Sequence, residues 1–207
     1  MAKPLTVTLD LESVLIPEIW QAVAEATGLP DLAVTTCDIA DYGNLMAMRI
    51  TCLRENKIEL LDISQTIQAI EPLPGAAKFL YWLRARTQAI IVSDTFYEFA
   101  VPLMMKLDYP SLFCNSLILD AHGYISDYRL RHKAGKRNAV ENLQNMGFRV
   151  FAVGDSYNDL EMLNAADFGV LFRPAKSLVA ECPKFQIFNE YSELKNCLSQ
   201  ILSGEKC

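Results

Sequence analysis

Short runs of apolar residues recur along this chain, and four of them are almost unbroken by polar side chains. The four runs cover residues 5–9, 89–92, 149–153 and 168–172, with weaker runs at 112–114 and 185–188. Apolar runs of this length are typical of parallel strands that are buried on both faces. The pattern therefore predicts strands that lie inside the protein rather than on its surface.

Helical patterns fill the intervals between these runs. Apolar residues recur there at spacings of three and four, in residues 75–86, 96–107, 135–146, 159–166 and 190–202. Strands that alternate with helices are typical of βαβ units, so the predicted fold class is α/β with a doubly wound, mostly parallel sheet. Alternation around Gly123 further predicts a β-hairpin with arms at 117–119 and 124–130.

One long segment breaks this alternation. Residues 17–72 contain no good strand pattern, but they contain three helical patterns at 18–27, 41–55 and 62–70. Asp62 and Gln65 have the spacing of a capping pair at the start of the third helix. We therefore divide the chain into an α/β core of residues 1–16 and 73–207 and a helical cap of residues 17–72. The cap is predicted to lie over the active-site end of the sheet.

Composition narrows the function classes. The chain has 207 residues, of which 51% are hydrophobic and 21% are charged, as in a globular protein of one domain with a modest insertion. Its net charge of −6 argues against nucleic acid as the main partner. No apolar run approaches the roughly 18 residues of a membrane span, and Asp10 ends the first run too early for a signal peptide. We expect neither nucleic acid nor a membrane as a partner.

The six cysteines indicate a reducing compartment. None of them forms a C-x-x-C pair, and the chain is large enough to fold without disulfide bonds. We interpret them as reduced thiols of a cytoplasmic protein, although Cys207 at the end of the chain could be oxidised by accident.

Acidic residues follow two of the predicted strands. Asp10 and Glu12 follow the first strand, and Asp155 and Asp159 follow the strand at 149–153. Ligands of open α/β sheets bind outside the carboxyl ends of the strands, so these carboxylates can converge although they are distant in sequence. Taken alone, Asp10 is also typical of a turn or of a helix cap.

A metal ion is one explanation for the second acidic group. A calcium loop needs Gly at its sixth position and Glu at its twelfth, whereas this chain has Leu160 and Ala166 there. Magnesium fits better, because Mg²⁺ binds few carboxylates together with water and phosphate oxygens. Gly154 before Asp155 allows a close backbone approach or a positive φ.

Hydroxyl and basic residues supply candidates for phosphate binding. Ser93, Asp94 and Thr95 follow the run at 89–92 and are predicted to open a helix, where hydroxyls and backbone N–H groups bind anions. Lys136 lies in the basic segment 129–137, and a lysine that faces the carboxylates would hold a phosphate against them. The alternatives are an ordinary helix cap at Ser93 and a solvated basic loop around Lys136.

In this order along the chain, the elements together resemble the haloacid dehalogenase superfamily of phosphotransferases. Its pattern is Asp-x-Asp after strand 1, Ser or Thr after strand 2, Lys before a later helix and Gly-Asp-x-x-x-Asp after strand 4. This chain departs from the pattern at Glu12, where most phosphatases of the superfamily have Asp. Within the phosphoserine phosphatase branch, the ThrH-type proteins resemble it closely in residues 10–20, 93–99 and 154–159.

The resemblance implies a role for each candidate residue. Asp10 would be the nucleophile, and Glu12 would be the general acid/base. Asp10, Asp155 and the backbone carbonyl of Glu12 would bind Mg²⁺, whereas Asp159 would orient a bound water or Lys136 without binding the ion itself. The phosphate oxygens would be bound by Ser93, Thr95, Lys136 and Asn158.

The helical cap would select the substrate. By the same resemblance, Glu18 would bind the ammonium group of an amino acid, and Arg49 would bind its carboxylate. The alternatives are a helix-dipole contact for Glu18 and a solvated position for Arg49. Trp20 and Trp82 are expected to pack rather than to bind a ligand.

The activity that the resemblance implies is Mg²⁺-dependent transfer of the phosphoryl group of O-phospho-L-serine to water or to homoserine, through an aspartyl-phosphate. The resemblance also admits a homodimer. One alternative is a superfamily phosphatase for another small phosphomonoester. Another is a receiver-like module whose phosphorylated Asp signals without catalysis, but the large helical cap argues against it. A binding module that has lost its activity is a third, which the complete set of catalytic side chains disfavours.

Overall fold

A computed structural model describes residues 3–36, 38–39 and 41–205. Within them, seven strands form one sheet, namely β1 (Leu5–Leu9), β2 (Gln88–Phe96), β3 (Ser111–Leu119), β4 (Ile125–Arg129), β5 (Arg149–Gly154), β6 (Phe168–Phe172) and β7 (Gln186–Phe188). The strands lie in the order β4-β3-β2-β1-β5-β6-β7, and all neighbours are parallel except β3 and β4. The predicted fold class is confirmed.

The α-helices of the described residues are α1 (Ile19–Thr27), α2 (Tyr42–Glu55), α3 (Leu60–Ala69), α4 (Ala76–Arg84), α5 (Tyr97–Lys106), α6 (Gly135–Asn145), α7 (Leu160–Ala165), α8 (Lys176–Glu181) and α9 (Tyr191–Ser203). Short 3₁₀ helices occupy Pro30–Ala33 and Tyr157–Asp159. Helices α6, α7 and α8 cover one face of the sheet, and α4, α5 and α9 cover the other. The sheet is therefore wound on both sides.

The central strands are buried because their alternate residues face two separate cores. Along β5, Phe151 and Val153 join one core, whereas Val150 and Ala152 join the other, and all four are completely buried. Successive side chains of a strand point to opposite faces of the sheet. A strand covered on both faces favours apolar residues at every position, which explains the apolar run at 150–153.

Helices α1, α2 and α3 lie in the segment between β1 and α4 where three helical patterns are predicted. Several contacts join this segment to the β3–β4 hairpin, two of which are polar and well defined. The Arg54 guanidinium lies 2.9 Å from the Asp120 carboxylate, and the Leu60 N–H donates to the carbonyl oxygen of Gly123 at 3.1 Å. The helical insertion is thus held by the core at its middle as well as at its two ends.

The start of α3 differs from the predicted one. The capping box is formed by Glu59 and Asp62, so Asp62 is the third residue of the helix rather than its cap. The predicted pair of Asp62 and Gln65 is therefore wrong by one turn. Glu is less common than Asp as a cap, and the Glu59 signal was consequently weaker than the Asp62 signal.

The cysteine interpretation is confirmed for three residues and is wrong for a fourth. Cys52, Cys114 and Cys182 are free thiols, whereas Cys197 is disulfide-bonded. The size of the core, on which the interpretation rested, does not determine the state of an individual thiol. Cys37 and Cys207 lie outside the described residues.

None of the helices in the described part of the chain combines the length and the hydropathy that crossing a membrane requires.

Helix α7 packs closely against β6 at Gly169. A Cβ atom at this position would overlap the carbonyl oxygen of Leu163, and a backbone oxygen cannot turn away as a flexible side chain can. Glycine therefore sets the distance between this helix and the sheet.

We expect the Gly169→Ala variant to lose about 1 to 3 kcal/mol of unfolding free energy, because the added methyl group forces the helix away from the sheet. Urea unfolding followed by circular dichroism measures the change. Gly135→Ala is the matched control, since its Cβ would lie at an ordinary 3.6 Å from the Arg131 side chain. Equal urea midpoints for the two variants would show that the close contact at Gly169 does not set the distance between helix α7 and the sheet.

Candidate active site

The carboxyl ends of β1 and β5 bring two of the predicted acids together. The strands are parallel neighbours in which Leu9 pairs with Val153, so Asp10 and Asp155 leave the sheet at the same edge. The Asp10 N–H donates to the carbonyl oxygen of Val153 at 3.0 Å, which extends the pairing beyond the last strand residue. The convergence predicted from the sequence is therefore a direct result of strand order.

The 3₁₀ helix after β5 adds a third acid. Oδ2 of Asp159 accepts hydrogen bonds from the N–H groups of Asp155 at 2.9 Å and Ser156 at 3.3 Å, which turn its side chain back toward β5. Carboxylate oxygens of Asp10, Asp155 and Asp159 all lie within 4.8 Å of one another. Gly154 permits this approach, because a Cβ atom there would overlap the Asp159 side chain. Of the two predicted uses of Gly154, the close approach is the one observed, since its φ is not positive.

The ammonium group of Lys136, in the first turn of α6, reaches into these acids. Its Nζ lies 2.7 Å from Oδ1 of Asp159, 3.0 Å from Oδ2 of Asp10 and 3.7 Å from Oδ2 of Asp94. Lys136, Asp10 and Asp159 are all buried. The alternative of a solvated loop is therefore wrong for Lys136.

Asp10, Asp155 and Asp159, here called the carboxylate cluster, carry more negative charge than Lys136 neutralises. Burial raises the pKa of Asp10 well above its usual range, and Asp159 and Asp155 raise it further while Lys136 opposes them. Burial, followed by Asp159, raises the pKa of Asp155 to about 8. Burial by itself lowers the pKa of Lys136, but the carboxylates around it raise that pKa well above the usual value. Closely spaced oxygen donors with excess negative charge are a donor set that fits a divalent cation.

Ser93 and Thr95 lie at the end of β2 rather than at the start of a helix. The strand continues through Phe96 and α5 begins at Tyr97, so the predicted helix opening at Ser93 is wrong. Both hydroxyl residues are buried, and the Thr95 N–H donates to Oγ of Ser93 at 3.2 Å. The side chains predicted to bind phosphate therefore come from a strand end.

A bulge explains how the strand end can carry these polar residues. Val92 of β2 pairs with Phe113 of β3, and Phe96 pairs with Asn115, so four steps along β2 match two steps along β3. The extra residues fall within 93–95. Bulges of this kind redirect side chains and end strand pairing next to active sites. Sequence periodicity does not reveal a bulge, and the strand was therefore predicted to end at residue 92.

Asp94 lies between the two hydroxyl residues and had no predicted role. Its Oδ2 accepts a hydrogen bond from Nδ2 of Asn158 at 3.3 Å and also faces Lys136. Its carbonyl oxygen accepts hydrogen bonds from Oη of Tyr42 at 3.2 Å and Nδ2 of Asn115 at 3.0 Å. Asp94 thus joins two predicted phosphate ligands to the helical insertion. A carboxylate between two hydroxyl residues at a strand end was the signal that could have found it.

Glu12 lies in the loop after β1, where it meets the start of the helical insertion. Its Oε1 accepts a hydrogen bond from the N–H of Ile19, the first residue of α1, at 2.8 Å. Burial raises the pKa of Glu12 to about 7 with a further contribution from Glu18, while the Ile19 N–H, Lys136 and Arg49 act in the opposite direction. A carboxyl group with a pKa near 7 can both donate and accept a proton at neutral pH.

The structure brings the two predicted substrate residues of the insertion near Glu12. Glu18 is exposed at the start of α1 and accepts a hydrogen bond from Oγ of Ser13 at 2.7 Å. Arg49 of α2 is only 6% exposed, and its Nη2 donates to the carbonyl oxygen of Val34 at 2.7 Å. The alternative of a solvated Arg49 is wrong. Both charges influence the pKa of Glu12, which Glu18 raises and Arg49 lowers, and burial of Glu12 leaves these interactions only weakly screened by solvent.

A cleft of about 430 Å³ opens beside Asp94 and Asn158. Its remaining walls come from the helical insertion and from the core, namely Thr36, Tyr42, Leu130, His132, Lys133 and Tyr157. Because Asp94 faces both this cleft and Lys136, the cleft adjoins the carboxylate cluster.

These features belong to a known family. A model of haloacid dehalogenase-like hydrolases matches residues 6–167, which include the carboxylate cluster, the bulge in β2 and Lys136. The chain is a haloacid dehalogenase-like hydrolase. The resemblance stated from the sequence is thereby confirmed, and membership of a hydrolase family favours an enzyme over a receiver-like module.

Two curated members of this family are similar to the chain over most of its length. The phosphoserine phosphatase of Pseudomonas syringae pv. tomato is 46% identical over 187 residues, which cover 90% of this chain and 79% of the relative. The phosphoserine phosphatase ThrH of Pseudomonas aeruginosa is also 46% identical over 187 residues, which cover 90% of this chain and 91% of the relative.

Solved structures of the family share the fold. A phospho-aspartyl intermediate analogue of phosphoserine phosphatase superposes with a TM-score of 0.78 and 21% identity, covering 95% of this chain and 99% of that one. An apo phosphoserine phosphatase gives a TM-score of 0.76 at 21% identity, with coverage of 95% and 98%. At this identity the likeness concerns the architecture.

We expect the Lys136→Met variant to lose about 3 to 5 kcal/mol of unfolding free energy at slightly alkaline pH, because buried carboxylates lose their ammonium partner. The loss should shrink at acidic pH. Burial already raises the pKa of Asp10, so the folded variant binds more protons than its unfolded chain, and its stability falls as pH rises. Urea unfolding at several pH values measures how this loss of stability depends on pH.

Arg137→Met is the control, since the Arg137–Glu141 ion pair is exposed and its loss should change stability little. A pH-independent loss would contradict the electrostatic explanation.

Proposed function

We propose that this protein is a phosphatase and phosphotransferase that acts on O-phospho-L-serine through an aspartyl-phosphate. It releases L-serine and passes the phosphoryl group to water or to homoserine. The observation that carries the proposal is the carboxylate cluster with Lys136 between Asp10 and Asp159, in a chain 46% identical to curated phosphoserine phosphatases. Phosphoryl transfer depends mainly on positioning and charge neutralisation, and this arrangement offers both.

In the first step, a carboxylate oxygen of Asp10 bonds to phosphorus as the bond between phosphorus and the seryl oxygen breaks. Oδ1 of Asp10 accepts a hydrogen bond from the Leu11 N–H at 2.8 Å, which fixes the plane of the carboxylate. Glu12 gives its proton to the departing seryl oxygen, so L-serine leaves as a neutral alcohol.

In the second step, the ionised Glu12 takes a proton from water or from the hydroxyl group of homoserine. The oxygen so activated bonds to phosphorus, and the bond to Asp10 breaks, which restores both carboxyl groups. Because both acceptors use the same intermediate, exclusion of water by the helical insertion sets the ratio of hydrolysis to transfer. In this proposal, residues 17–72 form a cap domain that excludes water from the intermediate.

Phosphate binding is assigned to Ser93, Thr95, Lys136 and Asn158. A divalent cation, which we take to be Mg²⁺, would be held by Asp10, Asp155 and the carbonyl of Glu12, and it would offset the repulsion between nucleophile and phosphate. Asp159 positions Lys136 through the 2.7 Å contact rather than binding the ion.

Substrate selection is assigned to Glu18 and Arg49. An amino-acid substrate needs an anion for its ammonium group and a cation for its carboxylate. The buried Arg49 guanidinium can supply the cation, and its Nε has no hydrogen-bond partner among the described residues. A homodimer stays a prediction, which sedimentation velocity tests. A cytoplasmic location, inferred from the cysteine pattern, also stays a prediction.

We expect Mg²⁺-dependent release of phosphate from O-phospho-L-serine, and formation of O-phosphohomoserine when homoserine is added. The Asp10→Asn variant should lose about 10⁴-fold or more in kcat, because it removes the nucleophile. Asp127→Asn, at an exposed position of β4, is the matched control and should retain wild-type activity. Wild-type turnover in Asp10→Asn, or no release from phosphoserine by the wild type, would refute the proposal.

The proton donor is tested separately through pH. We expect kcat/KM to fall as pH rises through about 7, the value to which burial raises the pKa of Glu12, because ionised Glu12 has no proton to donate. Glu12→Gln should lose this dependence and about 10²- to 10⁴-fold in kcat. Glu18→Gln should move the fall to lower pH, because Glu18 raises the pKa of Glu12.

Ionisation of the substrate phosphate affects the wild type and the Glu12→Gln variant equally, so the difference between their profiles isolates Glu12. If the Gln variant keeps the fall near neutral pH, another group is the proton donor.

A further inference from the structure

The Arg49 guanidinium is held in place by contacts that leave part of it free. One contact is the hydrogen bond to Val34, and another brings Nη1 to 4.0 Å from Sδ of Met46. The indole ring of Trp20 lies under the guanidinium, with 4.5 Å between Cζ and the ring centroid. Nε is buried without a hydrogen-bond partner among the described residues. A buried cation with an unused donor needs an anionic partner, and a ligand carboxylate would be one.

The contact with Trp20 has a chemical consequence. An aromatic face attracts the guanidinium without taking a conventional hydrogen bond from it, so the contact leaves the N–H donors available to a ligand. A carboxylate binds a guanidinium with two parallel hydrogen bonds, which requires that the group be held in place. Trp20, whose ring centroid lies 4.5 Å from Cζ of Arg49, is one of the groups that hold it.

Trp20 is itself fixed to the core. It is 8% exposed and packs edge-to-face on Phe99 of α5, with 5.3 Å between ring centroids. Phe99 packs in the same way on Phe96, the last residue of β2, at 5.8 Å. The strand that carries Ser93 is thus connected through three aromatic rings to the guanidinium in the helical insertion.

We propose that Trp20 is a positioning residue for substrate specificity, whose indole face orients Arg49 so that the free edge of the guanidinium receives the carboxylate of an amino-acid phosphoester. The inference rests on the proposed function and deepens it. It assigns the discrimination between phosphoesters with and without a carboxylate to the cation–π pair of Trp20 and Arg49 in the insertion, separate from the groups that transfer the phosphoryl group. Trp20 keeps the packing role predicted from the sequence and acts through Arg49 rather than on the substrate.

The experiment compares O-phospho-L-serine with O-phosphoethanolamine, which has the ammonium group and the phosphate but no carboxylate. We expect Trp20→Leu to raise KM for O-phospho-L-serine about tenfold with little change in kcat. A tenfold change in affinity is no larger than a desolvated cation–π contact can contribute. The kinetic constants for O-phosphoethanolamine should stay those of the wild type. Trp20→Phe retains an aromatic face and should restore most of the lost affinity.

A double-mutant cycle distinguishes positioning from packing. In the Arg49→Ala background there is no guanidinium to orient, so adding Trp20→Leu should have no further effect on either substrate. If Trp20 only supports the fold of the site, Trp20→Leu lowers activity on both substrates in parallel and lowers it again in the Arg49→Ala background. That result overturns the proposal, and so does an unchanged KM in Trp20→Leu.

Trp82 provides a matched control. Its ring carries the Arg86 guanidinium at 4.7 Å and stacks on Phe79, so it has the same kind of contact on helix α4. Trp82→Leu should leave the ratio of kcat/KM values for the two substrates unchanged.

A binding measurement covers the case in which Trp20→Leu does not fold. The chain has two tryptophans, so Trp20 is the sole tryptophan of the Trp82→Phe variant. Addition of L-serine should change its fluorescence, and Arg49→Ala should abolish the response. No response to L-serine overturns the proposal. Failure of the proposed function has a different signature, since wild-type protein would then release no phosphate from either substrate while the fluorescence response persists.

Discussion

The buried Lys136 ammonium, held between the buried carboxylates of Asp10 and Asp159, is the interaction on which the candidate active site depends. These acids stand at the ends of neighbouring strands, and without a cation between them their repulsion would force one to take a proton or to turn away. The parallel pairing of β1 with β5 supplies the acids, and the first turn of α6 supplies the lysine. The order of the strands therefore determines which charges meet at this edge of the sheet.

Much of the fold could be predicted because the central strands are buried on both faces. Complete burial excludes charged residues from β1 and leaves Thr6 and Thr8 as its polar residues, so β1 and the buried part of β5 read as short, largely apolar runs that are easy to recognise. Two boundaries could not be predicted for physical reasons. The strand end at residues 93–95 is polar because it bulges into the site, and the cap of α3 at Glu59 uses a residue type with a weak capping preference.

The candidate site could be predicted where chemistry restricts the residue type, and not where only geometry gives a residue its importance. Asp10, Asp155 and Lys136 each had an ordinary structural explanation, but together they follow the order of a known motif set, so their positions stood out as a group. Asp94 resembled part of a polar loop until its contacts with Lys136 and Asn158 were visible. Trp20 resembled any core aromatic, since its contact with the Arg49 guanidinium depends on how two helices are placed in space, which periodicity does not contain.

The contacts between the helical insertion and the β3–β4 hairpin connect the insertion to the sheet, because β3 also pairs with β2. Arg54 and Asp120 join through solvent-accessible groups, and Leu60 is tied to the hairpin turn at Gly123. A rotation of the insertion relative to the sheet about the two chain crossings near residues 16 and 73 would therefore break these contacts. High ionic strength weakens accessible ion pairs, so it would loosen the contact between Arg54 and Asp120 and leave the Leu60 hydrogen bond in place.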